Sequence, residues 1–318
     1  MKFSTVVPVD EALVKIDYNS KIVSLGSCFA VNMAQKFKRF QFKTETNPVG
    51  ILFHPLAIQR LLEYAITNYE FSSKDVFLYN EIWSCFDAHS DMNELEEDAI
   101  IESLNNAVIE FSKSLREASH VFLTFGTAWV YERKEDSRVV ANCHKVAQDV
   151  FEKRLLSYDE ILQSYQEITR LIHELNPNAQ IVFTVSPVRH IKDGFVGNQR
   201  SKANLIGALH QFLDENLDVK CFYFPAFELV MDELRDYRFY DQDMLHPNQL
   251  AIDYIWERLL KSFVSSETMM IMKKVEEVTK AMEHRPFNPT SEQHLKFMDS
   301  LIDKIDYLLD RYPFMSFR

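Results

Sequence analysis

The chain has 318 residues, a formal net charge of −12, 47% hydrophobic and 26% charged residues, and only 6 glycines, against about 22 at average usage. Glycines scattered at 26, 50, 126, 194, 197 and 207 exclude a Gly-rich loop for ATP or NAD, which needs them clustered. The acidic balance excludes nucleic acid or an anionic membrane as the main partner. Apolar content suffices for a substantial core, no export signal stands near the N-terminus, and no run of about 18 apolar residues offers a membrane span. We therefore expect a cytoplasmic protein in which Cys28, Cys85, Cys143 and Cys221 are free thiols.

In chain order, KIVSLGSCF at 21–29 followed by AVNMAQKFKRF predicts a strand, a tight turn and a helix. HPLAIQRLLEYAIT at 54–67 starts a second helix, with Pro55 in its first turn. Residues 75–90 alternate as a hairpin around Tyr79-Asn80, and a long helix follows from Asn93 to Glu117. HVFLTFGTAWVYE, from His120, is a continuous apolar run of the buried-strand kind, after which a hairpin turning at Lys134–Ser137 leads to ANCHK at 141–145. A helix over Ser157–Leu175 precedes the third buried strand, AQIVFTVSP, with Gly194 and Gly197 in the loop behind it. A helix over Lys202–Glu215 precedes a fourth strand, DVKCFYFPAF, and the last core helix is NQLAIDYIWERLL.

Alternating strands and helices imply βαβ crossovers. The expected fold class is a three-layer, flavodoxin-like α/β parallel sheet with helices on both faces, occupying residues 1–264. Residues 265–318 form a C-terminal helical extension of two helices, with apolar positions Met269, Met272, Val275, Val278 and Met282, then Phe297, Leu301, Ile305 and Leu308.

Ligands of open parallel sheets bind beyond the carboxyl ends of the strands, which directs attention to Gly26-Ser27-Cys28, Gly126-Thr127 and Asp243-Met244-Leu245-His246-Pro247. A thiol at a strand-to-helix turn gains from the helix N-terminus, and a nearby imidazole would lower its pKa further. The bland alternative makes Ser27 a helix cap and Cys28 a small buried hydrophobe. Asp243, three residues before His246, is placed to fix the tautomer and orientation of that ring.

IVSLGSCFA, Gly-Thr after a later strand and D-x-x-H-P before the last core helix together resemble the GSCFA family, a relative of the SGNH/GDSL hydrolases, over roughly residues 20–260. The resemblance implies an acyl-ester hydrolase or acyltransferase with the nucleophile two residues after the turn glycine. That position is Cys28, leaving Ser27 where an Asp is usual, so either residue is open as the nucleophile. His246 would be the base and Asp243 its orienter. Oxyanion donors would come from the nucleophile's own N–H and from Gly50, in ETNPVGILF. The family's third donor, an Asn, is replaced by Ala in Gly126-Thr127-Ala128, and Asn142 or His144 would stand in for it.

The substrate would be a small-molecule, glycan or lipid acyl ester, with no metal or organic cofactor required. A non-catalytic binding module of the same fold for an acylated or glycan ligand is the alternative. Arg189, after the third buried strand, offers a fork for carboxylate or phosphate or a surface ion pair. Asp87 and His89 read as a rim segment, and Asp236 and Arg238 as braces of the His246 loop.

Overall fold

A computed structural model describes residues 5–216 and 220–317. Its central sheet is parallel throughout, with five strands, β1 (Lys21–Gly26), β2 (Lys43–Thr46), β5 (His120–Phe125), β9 (Gln180–Val185) and β10 (Cys221–Tyr223), in the order β10-β9-β5-β1-β2. The crossovers carry α1 (Cys28–Arg39), α2 (Pro55–Thr67), α3 (Glu97–Glu117), α4 (Tyr158–Leu175) and α5 (Gly194–Glu215). Between them lie the hairpin β3 (Phe77–Tyr79) and β4 (Ile82–Ser84), and a three-stranded antiparallel sheet of β6 (Trp129–Arg133), β7 (Val139–Val140) and β8 (Phe151–Leu155). A short α6 (Ala226–Glu228) runs into a π-helical turn, and α7 (Gln249–Phe263), α8 (Ser266–Glu283) and α9 (Glu292–Arg311) complete the described chain.

The central strands are buried on both faces, so they read as continuous apolar runs. Val23, Val121, Leu123 and Ile181 point to the side covered by α2 to α5, where Leu61, Leu104, Ile168 and Leu209 meet them. Ile22, Phe122 and Val182 point to the other side, against Phe37 of α1, Trp256 and Phe263 of α7, and Met272 and Val275 of α8. Leu301 and Leu308 of α9 join that second cluster. This is the expected three-layer arrangement. Among the described residues no helix is long and apolar enough to cross a membrane.

Two local expectations are corrected, and one strand is added. The apolar run from His120 is two strands, because Ser201 Oγ takes the Ala128 N–H at 2.7 Å and pairs with Thr127 Oγ1 at 3.0 Å, turning the chain out of the parallel sheet after Phe125. Gly194 and Gly197 belong to α5. Tertiary bonds hold its first turns despite two poor helix formers: Trp129 Nε1 donates to Gly197 O at 3.0 Å and Asn198 Oδ1 accepts the His190 N–H at 2.9 Å. KTET at 43–46, polar and only partly buried, is the edge strand β2, whose weak pattern hides it in the sequence. The first two residues of DVKCFYFPAF, Asp218 and Val219, lie outside the described residues.

His54 shows how one buried polar group joins two of these units. Its Nδ1 accepts the Ala57 N–H at 3.1 Å, capping α2, and its Nε2–H donates to Val140 O at 3.1 Å in β7. Burial pushes this imidazole down to about pH 4. The unfolded chain takes up the proton near pH 6.5 and the folded chain does not until about 4, so stability present above pH 6.5 is lost as pH falls across that interval. We expect the urea midpoint to drop between pH 7 and 4.5, and His54→Asn to flatten that drop while costing about 1–3 kcal/mol at neutral pH. An unchanged pH slope in the variant would show that His54 does not carry the effect.

Candidate active site

At the end of β1 the chain passes β5 too closely for any side chain: a Cβ on Gly26, at φ +137°, would stand 2.2 Å from Thr124 O. Ser27 N–H donates to Thr124 O at 3.1 Å, and α1 begins at Cys28. The N–H groups of Cys28 and Phe29, the first two of the helix, have no earlier helical carbonyl to bond. Both draw the Cys28 thiol towards ionisation, as does the Lys202 ammonium; burial outweighs them and the Asp243 carboxylate adds to it, so the thiol is pushed up. This reverses the expected lowering, because the half-buried sulfur loses more hydration than the helix end returns. Ser27 Oγ is buried, makes no cap bond and has no partner among the described residues.

The second element is the loop before α7. Asp243 Oδ1 accepts the N–H groups of Leu245 (2.8 Å) and His246 (3.0 Å), while Oδ2 lies 2.6 Å from His246 Nδ1. These bonds hold the Asp243 carboxyl down at about pH 2, so it stays ionised and accepts a hydrogen bond from Nδ1–H, which leaves Nε2 without the ring proton. The loop is pinned by Asp241 N–H to His246 O at 2.8 Å and by Asn248, which caps α7 and donates from Nδ2 to Arg238 O at 2.7 Å. His246 lines a cleft of about 380 Å³ with Phe53, Trp129, Tyr131, Arg189 and His190. Cys28 and Asp243 are close enough to influence each other's charge, but no hydrogen bond joins Cys28 Sγ to the His246 ring among the described residues.

The packing brings two further candidates to the site. Lys202, 1% exposed, places Nζ 2.6 Å from both Gly126 O and Ser186 O, the residues that follow β5 and β9. Burial pulls its ammonium down to about pH 7, opposed by Cys28. The detectable signal was a lysine in register with Leu205, Leu209 and Phe212 on the buried stripe of α5. His190 Nε2 is buried without a partner among the described residues and lies 3.2 Å from where a Gly126 Cβ would be, with Phe53 Cβ at 3.1 Å and Ser27 Cβ at 3.4 Å. Burial, then Lys202, His246 and Lys192, hold its imidazole down at about pH 4, so at neutral pH it is uncharged.

The other sequence candidates are engaged elsewhere. Gly50 N–H donates to Asn47 O at 2.8 Å, and a Cβ there would meet His89 Cβ at 2.3 Å; the glycine is needed for its turn, and its amide is not free for an oxyanion. The N–H groups of Gly126 and Thr127 both go to Phe53 O, at 2.7 and 3.2 Å. Asn142 Oδ1 accepts the His144 N–H, and His144 Nε2 lies 2.7 Å from Cys85 O. Neither residue lines the cleft, because the segment after β7 is held against the chain that follows β4, with the Asn142 N–H on Phe86 O and the His144 ring on Cys85 O. Asp87 is clasped by Arg60, Arg138 and Tyr64, and no cluster of three His, Cys, Asp or Glu residues able to hold a metal ion occurs among the described residues.

The span that holds the turn thiol, the β5-end glycine and the Asp-x-x-His loop is matched by a family model over residues 21–259, described as the GSCFA family. The chain belongs to the GSCFA family. A second model, the GSCFA domain protein C-terminal domain, matches residues 275–318. No curated protein matches this GSCFA chain in sequence. Among solved structures, an acetyl xylan esterase from the rumen bacterium Butyrivibrio proteoclasticus aligns over 81% of this chain and 64% of its own, at 12% identity and a TM-score of 0.34. The chain thus spans under two thirds of that esterase.

The thiol environments predict an order of reactivity. Burial drives Cys85 and Cys221 up to about pH 12 and Cys143 to about 11, whereas at Cys28 two helix amides and an ammonium oppose it. We expect iodoacetamide near pH 8.5 to label Cys28 before the other three, with the rate rising as pH rises. Peptide mapping that found Cys143 labelled first would contradict this ranking.

Proposed function

We propose that this protein is an acyl-ester hydrolase or acyltransferase of the SGNH type with Cys28 as its nucleophile. The observation that carries the reading is the Asp243–His246 pair, in which a 2.6 Å contact engages Nδ1 and leaves Nε2 unengaged on a residue that lines the cleft. Because burial keeps the resting thiol protonated, Nε2 removes the proton as sulfur attacks the ester carbonyl, rather than finding a thiolate already formed. The sulfur–carbon bond forms, the alkoxide leaves with the proton returned from His246, and water or an acceptor hydroxyl resolves the thioester in a second cycle. The step requires Nε2 to come within hydrogen-bond reach of the thiol, a contact that resting enzymes often tighten only with substrate bound.

For the oxyanion, the N–H groups of Cys28 and Phe29 supply two donors. His190 Nε2–H supplies a third in place of the Asn that Ala128 displaces; being uncharged, it donates without giving up its proton. Ser27 is disfavoured as nucleophile by its burial, 1% exposed against a half-buried Cys28. We assign the chemistry to residues 1–264 and treat 265–318 as a helical extension. One observation favours the binding-module alternative: the Gly50, Gly126 and Thr127 amides are already bonded.

The decisive experiment is an acyl-ester panel with mass spectrometry of the Cys28 peptide. Cys28→Ala is expected to lower kcat/KM by roughly 10³-fold or more and His246→Asn similarly, with Ser27→Ala within a few-fold of wild type and an acyl group trapped on Cys28. Loss of activity in Ser27→Ala alone moves the nucleophile by one residue. No acylation of any residue by any ester favours the binding module.

A further inference from the structure

We propose that the pocket beside the His246 loop is an anion subsite, in which Arg189 and Arg235 hold a carboxylate or phosphate carried by the ester substrate. The word ester rests on the acyl-transfer reading above; the anion site does not. Arg189 follows β9, and its backbone N–H donates to Leu245 O at 3.3 Å, fixing it to the residue before His246. Its guanidinium carbon lies 4.2 Å from the ring centre of Tyr240 and 5.2 Å from that of Tyr237, and Tyr240 is bridged to Pro247 in the same loop. Such stacking restrains the planar fork, whose bidentate geometry a lysine cannot reproduce.

The Arg189 cation has no carboxylate partner among the described residues: its electrostatic neighbours are the two tyrosines, and its Nε is buried without a hydrogen bond. Arg235, Tyr237, Tyr240 and Met231 join it around a pocket of about 190 Å³. That volume is below the usual range for a whole small-molecule ligand, which suits a terminal charged group. The one acidic lining residue, Asp236, accepts the Arg238 N–H at 2.9 Å and has its other oxygen 3.8 Å from Arg238 Nε. Two guanidinium groups against one committed carboxylate make this corner basic in a chain of net charge −12. Arg189 also lines the cleft that holds His246, so a substrate lying across the two would place its anion on this fork and its ester towards His246.

The test is calorimetric titration of inorganic phosphate and of succinate into wild type, Arg189→Met and Arg189→Lys, with kcat/KM measured for 4-nitrophenyl acetate and its hemisuccinate counterpart. We expect one anion site in wild type, weakened about tenfold or more in Arg189→Met and nearly as much in Arg189→Lys. We also expect a preference of about tenfold or more for the hemisuccinate, collapsing towards parity in both variants. Phosphate binding alone names a phosphorylated substrate; succinate binding alone names a carboxylated one. Failure of wild type to bind either anion, or equal binding by a folded Arg189→Lys, overturns the proposal. Arg189-dependent binding with no acylation of Cys28 by either ester upholds the anion site and removes the acyl-transfer reading instead.

Discussion

One buried ammonium holds the ends of the two central strands together. Lys202 Nζ reaches Gly126 O and Ser186 O from α5, in the helical layer over one face of the sheet, and those carbonyls belong to the residues where β5 and β9 leave the sheet. A lysine taken out of water is stable there only because both carbonyls repay part of its lost hydration. The cost surfaces as an ammonium pulled down to about pH 7. Everything at that end of the sheet is placed with reference to this clasp: Gly126 abuts Ser27, Phe53 and His190, and the β9 exit carries Arg189 towards the His246 loop.

The same low-dielectric surroundings set the charge states around the cleft. Burial raises Cys28 and lowers Lys202 and His190, so each of the three is shifted towards its uncharged form. Asp243 escapes because it stands in solvent and accepts three N–H bonds, remaining a fixed negative charge. A thiol kept protonated beside one anchored carboxylate is an arrangement in which the proton is moved during reaction rather than beforehand.

Much of the fold was legible because both faces of the sheet are covered. Strands such as KIVSLG and QIVFTV are apolar at nearly every position, and helices such as α4 announce themselves with a capping box at Ser157 and Glu160. What escaped was local and tertiary in origin. β2 is a polar edge strand, β6 leaves the sheet because of a bond to Ser201, and the first turns of α5 are held by Trp129 and Asn198. At the site, Asp243 and His246 were readable because they act across three residues of one loop. Asn142 and His144 were misplaced because nothing in their segment reveals which neighbour the turn folds against.

The sequence by itself determined the family, the layer order and the elbow thiol with its Asp-x-x-His loop, since these depend on local spacing and on glycine at a φ of +137°. Only the tertiary structure decided which donors are free. The amides of Gly50, Gly126 and Thr127 are consumed by carbonyls from other segments, and Lys202 and His190 reach the site from α5 and the β9 exit, far along the chain from Cys28. Hydrogen-bond satisfaction and desolvation are properties of packed neighbours, and no spacing along one strand or helix encodes them.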